Sequence, residues 1–196
     1  MREGKNVNKS GTDNRSVRNT KRRLREGLLR LLEEKPINEI SVKELTELAD
    51  VNRGTFYFHY TDIYDLLRRM EEEFFESFRR TLAQTVKLES AFPYLSAIFS
   101  FLGENRAFCK IMLGEHGDML FVDKIKALVD ERCSHIWREA TPGCDPARFA
   151  MYNAFIINGC IGIIQKWLDE PESRAPEEIS QLAGTIILAS VRPAIS

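Results

Sequence analysis

Ser41 to Leu67 reads SVKELTELADVNRGTFYFHYTDIYDLL, two short helical patterns separated by a break. Ser41-Val-Lys-Glu44 has the form of a capping box, in which the Ser41 hydroxyl accepts from the Glu44 amide and the Glu44 carboxylate reaches back to the Ser41 amide. Val42, Leu45 and Ala49 then share one face, which predicts a helix of about two turns. Asp50-Val51-Asn52 interrupts the pattern, and Asn52 is a good N-cap for a third helix from Arg53 to about His59. Val51 and Phe56 are expected to turn back toward Leu45 and Leu48. Asp62 can cap a fourth helix, with Asp65 near its positive end. Two short helices joined by a tight turn, with an apolar inner side, make a helix-turn-helix.

Upstream, Val17, Leu24, Leu28, Leu31 and Leu32 recur at helical spacing. They predict a first helix that packs across the other two and stops before Pro36, since a residue preceding proline is pushed out of the α region. The 196 residues carry 28 Lys+Arg and 29 Asp+Glu, a net charge of -1. That balance hides an asymmetry. The first 30 residues hold 10 basic and 3 acidic side chains, or +7, whereas the chain beyond residue 60 is acidic. A basic amino end on an acidic remainder points to a polyanionic partner at one end. Residues 1–16 are expected to be a disordered basic tail, 17–61 the helix-turn-helix domain, and 62–196 a second helical domain.

The outward face of the third helix carries the chemistry. Arg53 is a fork of donors suited to guanine edges or phosphate, and Thr55 offers a hydroxyl and a methyl group. Gly54 lets the backbone approach a surface closely. Tyr57, His59 and Tyr60 carry polar groups that suit phosphate oxygens. In these features Ser41 to Leu67 resembles the DNA-binding region of the TetR family of transcriptional regulators. The matching residues are Ala49 before the turn, Asn52-Arg53-Gly54-Thr55, Phe56-Tyr57, His59-Tyr60 and Leu66-Leu67. The resemblance implies that Arg53, Thr55 and Tyr57 contact DNA from the recognition helix and that His59 lies near the DNA backbone. With Ser41, Lys43, Gly54 and Tyr60 they form the candidate DNA-binding set. Three positions depart from the family pattern. Asp50 replaces the usual turn glycine, which aspartate can do in a left-handed conformation. Tyr60 stands for phenylalanine, and Ile63 stands for a lysine that touches phosphate.

Beyond the reader, no glycine or proline occurs between Thr55 and Phe92, so one long helix is expected from Asp62 toward Leu88. Uncharged Ser90–Gly103, with Pro93 in its first turn, predicts a buried helix, and Asp118–Glu139, Asp145–Asp169 and Pro176–Ala189 continue an all-α fold of about nine helices. Ten of the 12 phenylalanines and both tryptophans lie here. They serve a core or an apolar pocket, and the resemblance implies a small apolar effector of unspecified identity. Phe78, Phe99, Phe108, Trp137, Tyr152 and Phe155 are the candidate lining. Around Gly159 and Gly162 the chain is apolar on nearly every helical face, more than one intramolecular contact requires. The resemblance implies that this helix and the last one pair across a homodimer, through Ile156, Gly159, Cys160, Ile163, Leu182 and Ile186. The Gly-x-x-Gly-Ile-Ile and Trp-Leu pattern is similar to that of a subgroup including dihydroxyacetone-kinase operon regulators.

Other classes fit poorly. The residues show no phosphate-binding glycine loop, no His-Glu-x-x-His and no Gly-x-Ser-x-Gly, so an enzyme is not expected, nor a cofactor or metal. The four cysteines lie 24, 11 and 16 positions apart, with no metal-ligand spacing. The polar amino end has no apolar signal segment, and the longest apolar stretch, Phe155–Ile164, is too short for a membrane span. The expectation is a cytoplasmic, ligand-responsive regulator, most simply a repressor, that binds a double-stranded operator as a homodimer without a membrane. The alternative is a regulator whose carboxyl-terminal domain answers to a protein partner.

Overall fold

The computed structural model describes residues 9–85, 91–114, 117–140, 143–170 and 174–195. The chain is all-α: α1 (Lys9–Glu34), a 3-10 turn (Ile37–Glu39), α2 (Val42–Leu48), α3 (Arg53–His59), α4 (Ile63–Thr85), α5 (Ala91–Glu104), α6 (Arg106–Met112), α7 (Met119–Ala140), α8 (Pro146–Asp169) and α9 (Pro176–Ile195). No strand occurs among the described residues. Short α6 is the helix that periodicity did not announce.

The residues form two compact units that meet between Glu71 and Glu72, inside α4. The boundary expected at residue 61 shifts because the first turns of α4 are bound into the amino-terminal unit. Asp62 Oδ1 accepts from the Asp65 amide at 2.7 Å, and Asp65 accepts from the Thr61 amide at 3.2 Å, from Arg69 Nε at 3.2 Å and from Arg68. The Arg69 hydrogen bond holds the Asp65 carboxyl below its ordinary value against the upward push of burial, with the Thr61 amide and Arg68 assisting. Arg69 also lies 5.5 Å from the Tyr60 ring centroid.

In the amino-terminal unit, Leu24, Leu28, Leu31 and Leu32 of α1 are buried with Ile40, Leu45, Ala49 and Phe56. α1 crosses α2 at Gly27, where an added Cβ would stand 3.1 Å from Leu45 Cδ1 and 3.5 Å from the Ala49 methyl. Leu48, expected on the inner side, is 46% exposed. α1 begins at Lys9, so residues 9–16, expected to be part of a disordered tail, are helical, and residues 1–8 lie outside the described residues. Extending an existing helix costs far less than nucleating one, so polar turns can add to the Leu24–Leu32 segment.

The carboxyl-terminal unit is built on rings. Phe74 lies 5.2–6.0 Å, centroid to centroid, from Phe75, Phe78, Phe101, Phe108 and Phe121. A second lock holds α6 to the end of α8: the Arg106 guanidinium donates to the carbonyls of Trp167, Leu168 and Glu170 at 2.8, 2.8 and 2.9 Å and lies 5.4 Å from the Trp167 ring centroid. The Leu168 carbonyl lies in the last turn of α8, where a helix leaves its acceptors without intrahelical partners. Gly103 makes room for Trp167, since a Cβ there would stand 3.1 Å from that ring.

Contrary to the reading from uninterrupted apolar runs, α8 is long and apolar enough, by length and composition, to cross a bilayer, and 22% of its apolar window is buried. Single polar residues such as Asn158 break the apolar stretch without lowering its average much, which is why its uninterrupted length understates it.

Replacing Gly27 by leucine is expected to overpack the α1–α2 crossing at a cost of about 1–3 kcal/mol. Amide hydrogen exchange over Leu24–Leu32 and Leu45–Ala49 should then accelerate roughly 10- to 100-fold while α8 keeps its protection. Unchanged exchange in both segments would show that the crossing tolerates the side chain.

Candidate nucleic-acid interface

The turn between α2 and α3 follows from three residues. Ser41 Oγ accepts from the Glu44 amide at 3.2 Å and starts α2. The Glu44 carboxylate accepts from Lys35 Nζ at 2.6 Å; that bond, assisted by the Lys35 charge and the Ser41 amide, holds its carboxyl below the ordinary value although burial opposes it. Asp50 takes φ of 48°, the left-handed conformation expected of it, and its Oδ2 accepts from Arg23 of α1 at 2.6 Å. Asn52 Oδ1 then accepts from the Gly54 amide at 2.7 Å and caps α3.

Phe56 is fully buried, so α3 presents its opposite side outward. Arg53, Gly54 and Tyr57 are exposed and Thr55 and His59 are half-buried, with Ser41 and Lys43 at the start of α2. Seven of the eight candidate residues therefore lie at least partly on the surface of one helix-turn-helix. Tyr60 does not. It is 3% exposed, with its ring 5.7 Å from Phe56 and under Arg69, so it is a core ring, and its place among surface contacts is corrected. The α-helical step explains the error: α3 ends at His59 and the extended backbone of Tyr60 turns its ring inward. Burial, then the nearby charge of Lys21, pushes the His59 imidazole below its usual value, leaving it neutral near pH 7.

The sequence reading missed Phe58, which is 82% exposed. The signal was available: two helical steps from buried Phe56 are about 200°, so one faces in and the other out. With Gly54 one turn earlier, Phe58 makes the outermost ridge of α3.

In the carboxyl-terminal unit the five pocket candidates whose side chains are described do not converge. Of these five, Phe99 lines an apolar cavity of about 40 Å³ between α5, α7, α8 and α9, together with Leu95, Lys126, Ile156, Cys160 and Ile187. Phe78 and Phe108 belong to the ring cluster, Tyr152 and Phe155 line an open groove with Arg148, Met151 and Ser190, and the Trp137 side chain lies outside the described residues. Aromatic pairs contribute about 0.5–1.5 kcal/mol each beyond area burial, so opening the ring cluster would be costly. Burial pushes the Cys109 thiol up to about 12 and the Cys160 thiol up to about 11, which makes both unreactive.

The six pairing candidates divide. Ile156 is 7% exposed and lines the cavity, so it faces the core and its assignment to a surface is corrected; Cys160 also lines the cavity but is half-buried. Gly159 is exposed, Ile163 half-buried, and Leu182 and Ile186 are 44% and 42% exposed. Together with Met151 and Phe155, 73% and 60% exposed, Gly159 and Gly162 trace one stripe along α8 at helical spacing. A Cβ at either glycine would meet nothing within 4 Å. Among the described residues no packing accounts for these glycines, which cost a helix interior about 1 kcal/mol each.

Comparison with known proteins agrees with this architecture. The family model described as "Bacterial regulatory proteins, tetR family" matches residues 24–70, and one described as "Transcriptional regulator C-terminal region" matches residues 89–188. The uncharacterized HTH-type transcriptional regulator YxbF of Bacillus subtilis (strain 168) is 27% identical over 165 residues, covering 81% of this chain and 42% of that protein. This chain thus spans less than half the length of that relative. A TetR transcriptional regulator from Streptococcus agalactiae 2603V superposes with a TM-score of 0.62 at 22% identity, covering 91% of this chain and 98% of that one. A TerR/AcrR-family transcriptional regulator from Aquifex aeolicus VF5 gives 0.64 at 17% identity, with coverage of 87% and 98%. The dihydroxyacetone kinase operon activator DhaS gives 0.59 at 15%, with coverage of 89% and 97%. At these identities the solved structures speak for the fold alone. The two matched regions together identify the chain as a member of the TetR family of transcriptional regulators, with an amino-terminal DNA-binding region and a carboxyl-terminal regulatory domain.

Proposed function

We propose that the chain is a homodimeric, effector-responsive repressor that reads a double-stranded operator through α3. The carrying observation is the outward set on that helix: with Phe56 buried and Asn52 holding the first turn, Arg53, Gly54, Thr55, Tyr57 and Phe58 are directed away from the core. Arg53 at the amino end of the helix is the base reader, and Thr55 and Tyr57 support it. Ser41, Lys43 and neutral His59 bind phosphate oxygens as donors that fix orientation. Phe58 supplies apolar surface of the kind that packs on thymine methyl groups.

The second copy follows from the carboxyl-terminal unit. The exposed apolar stripe of α8, with Gly159 and Gly162 open along it, and Leu182 and Ile186 of α9 form the pairing seam. Small residues there let two helices approach closely, which accounts for the glycines. A protein seam suits this stripe better than lipid, because Asn158 and Lys166 are exposed on α8 and polar groups are costly inside a bilayer. Two-fold pairing would present two copies of α3 to successive major grooves, about 34–36 Å apart. Such a protein works in the cytoplasm.

The effector is a small apolar molecule in the carboxyl-terminal unit, bound where the apolar cavity enlarges, and it favours dimers whose recognition helices are wrongly spaced. The present size of that cavity supports a second reading. At about 40 Å³ it lies far below the roughly 300–1,000 Å³ typical of ligand sites, which favours control by a protein partner. A metabolite thermal-shift screen separates the two, since a ligand that binds the folded form raises its melting temperature.

Operator selection from random duplexes tests the reading as a whole. Arg53→Ala should lower affinity for the selected operator and relax preference at one base pair by about 1–3 kcal/mol while leaving the dimer intact. Retained preference at every position would remove Arg53 as a base reader. Gly159→Leu should leave the protomer folded, since space is open there, yet yield a monomer by light scattering. A dimeric Gly159→Leu variant would overturn the seam.

A further inference from the structure

The amino-terminal turns of α1 precede the region that the family model matches. The family match begins at residue 24, yet α1 is helical from Lys9, and the intervening surface is cationic. Arg15, Arg18 and Arg22 are exposed and follow i, i+3 and i+7 spacing, one stripe of the helix. They line a shallow surface groove together with Ser16 and Asn19. Arg22 is oriented by Asn19 Oδ1 at 2.8 Å and by Glu26 Oε1 at 2.8 Å.

Three guanidinium groups along one stripe repel one another, and like charges at these spacings oppose helix formation. Such an arrangement gains most from a partner that is itself a line of negative charge. At a rise of about 1.5 Å per residue, the steps from Arg15 to Arg18 and from Arg18 to Arg22 are about 4.5 and 6 Å. A DNA strand is such a line of charge, and long arginine side chains on successive helical turns can each reach a separate phosphate. Lys21, on the adjoining side of α1, is close enough to His59 at the end of α3 for its charge to act on that imidazole.

We propose that Arg15, Arg18 and Arg22 of α1 bind backbone phosphates of the duplex flanking the operator, as an extension of the contact made by α3. This rests on the reading of α3 as a DNA reader. The stripe carries no base-reading geometry of its own. It adds affinity and salt dependence, and leaves base preference unchanged.

The test compares the full chain with Arg15→Gln/Arg18→Gln/Arg22→Gln, since glutamine nearly matches arginine in helix propensity. Both are titrated by fluorescence anisotropy, from about 50 to 300 mM salt, against the selected operator in a long duplex and in one trimmed to the core site. The wild type should prefer the long duplex. The triple variant should lose that preference, keep the same base preferences, and show a log–log salt slope shallower by about 0.9 for each phosphate that the arginines no longer neutralise. Equal slopes and equal preference for the long duplex would overturn the proposal while the α3 reading stands. If selection recovers no operator for the wild type, the α3 reading itself fails, and the proposal with it.

Discussion

Phe56 is completely buried in a helix only seven residues long, and its burial sets the direction of every other side chain on α3. Helices this short are marginal in water, because nucleation costs more than two turns return. α3 persists because a buried phenylalanine contributes roughly 1.5–3 kcal/mol, because Asn52 caps its start, and because α2 packs against it. Rotating α3 about its axis would expose Phe56 and bury the opposite ridge of Gly54 and Phe58. The reading face is therefore the by-product of a packing constraint.

The same logic runs outward from that ring. α1 crosses α2 at Gly27, and Arg23 of α1 meets Asp50 at the left-handed turn, so the supporting helix also steadies the turn that aims α3. On the other side, Asp65 collects the Thr61 amide and two arginines, which binds the first turns of α4 into the amino-terminal unit. The long helix is thus one element by backbone continuity but belongs to both units by its contacts.

In the carboxyl-terminal unit, apolar residues serve two ends that composition alone does not separate. The phenylalanines around Phe74 pack against one another. The aliphatic residues of α8 split by side: Ile156, Ile157, Ile161 and Ile164 face the core, while Phe155, Gly159 and Gly162 face away. Arg106 holds the end of α8 by its last carbonyls, which fixes the side of the helix that turns outward.

Much of this was legible from local chemistry. Capping residues, the break at Asp50 and the leucine spacing of α1 act within a few positions of the chain, so they specify the helix-turn-helix without reference to anything distant. The side to which a residue belongs is a different matter. Tyr60 looked like a surface contact until the extended backbone after His59 carried it under Arg69, and exposed Phe58 passed unnoticed beside the polar groups around it. Ile156 and Gly159 share one apolar run, yet only three-dimensional packing sends the first inward and the second outward. The dispersal of the ring candidates among a core cluster, a small cavity and an open groove was equally out of reach, because long-range contacts distribute side chains that local pattern can only count.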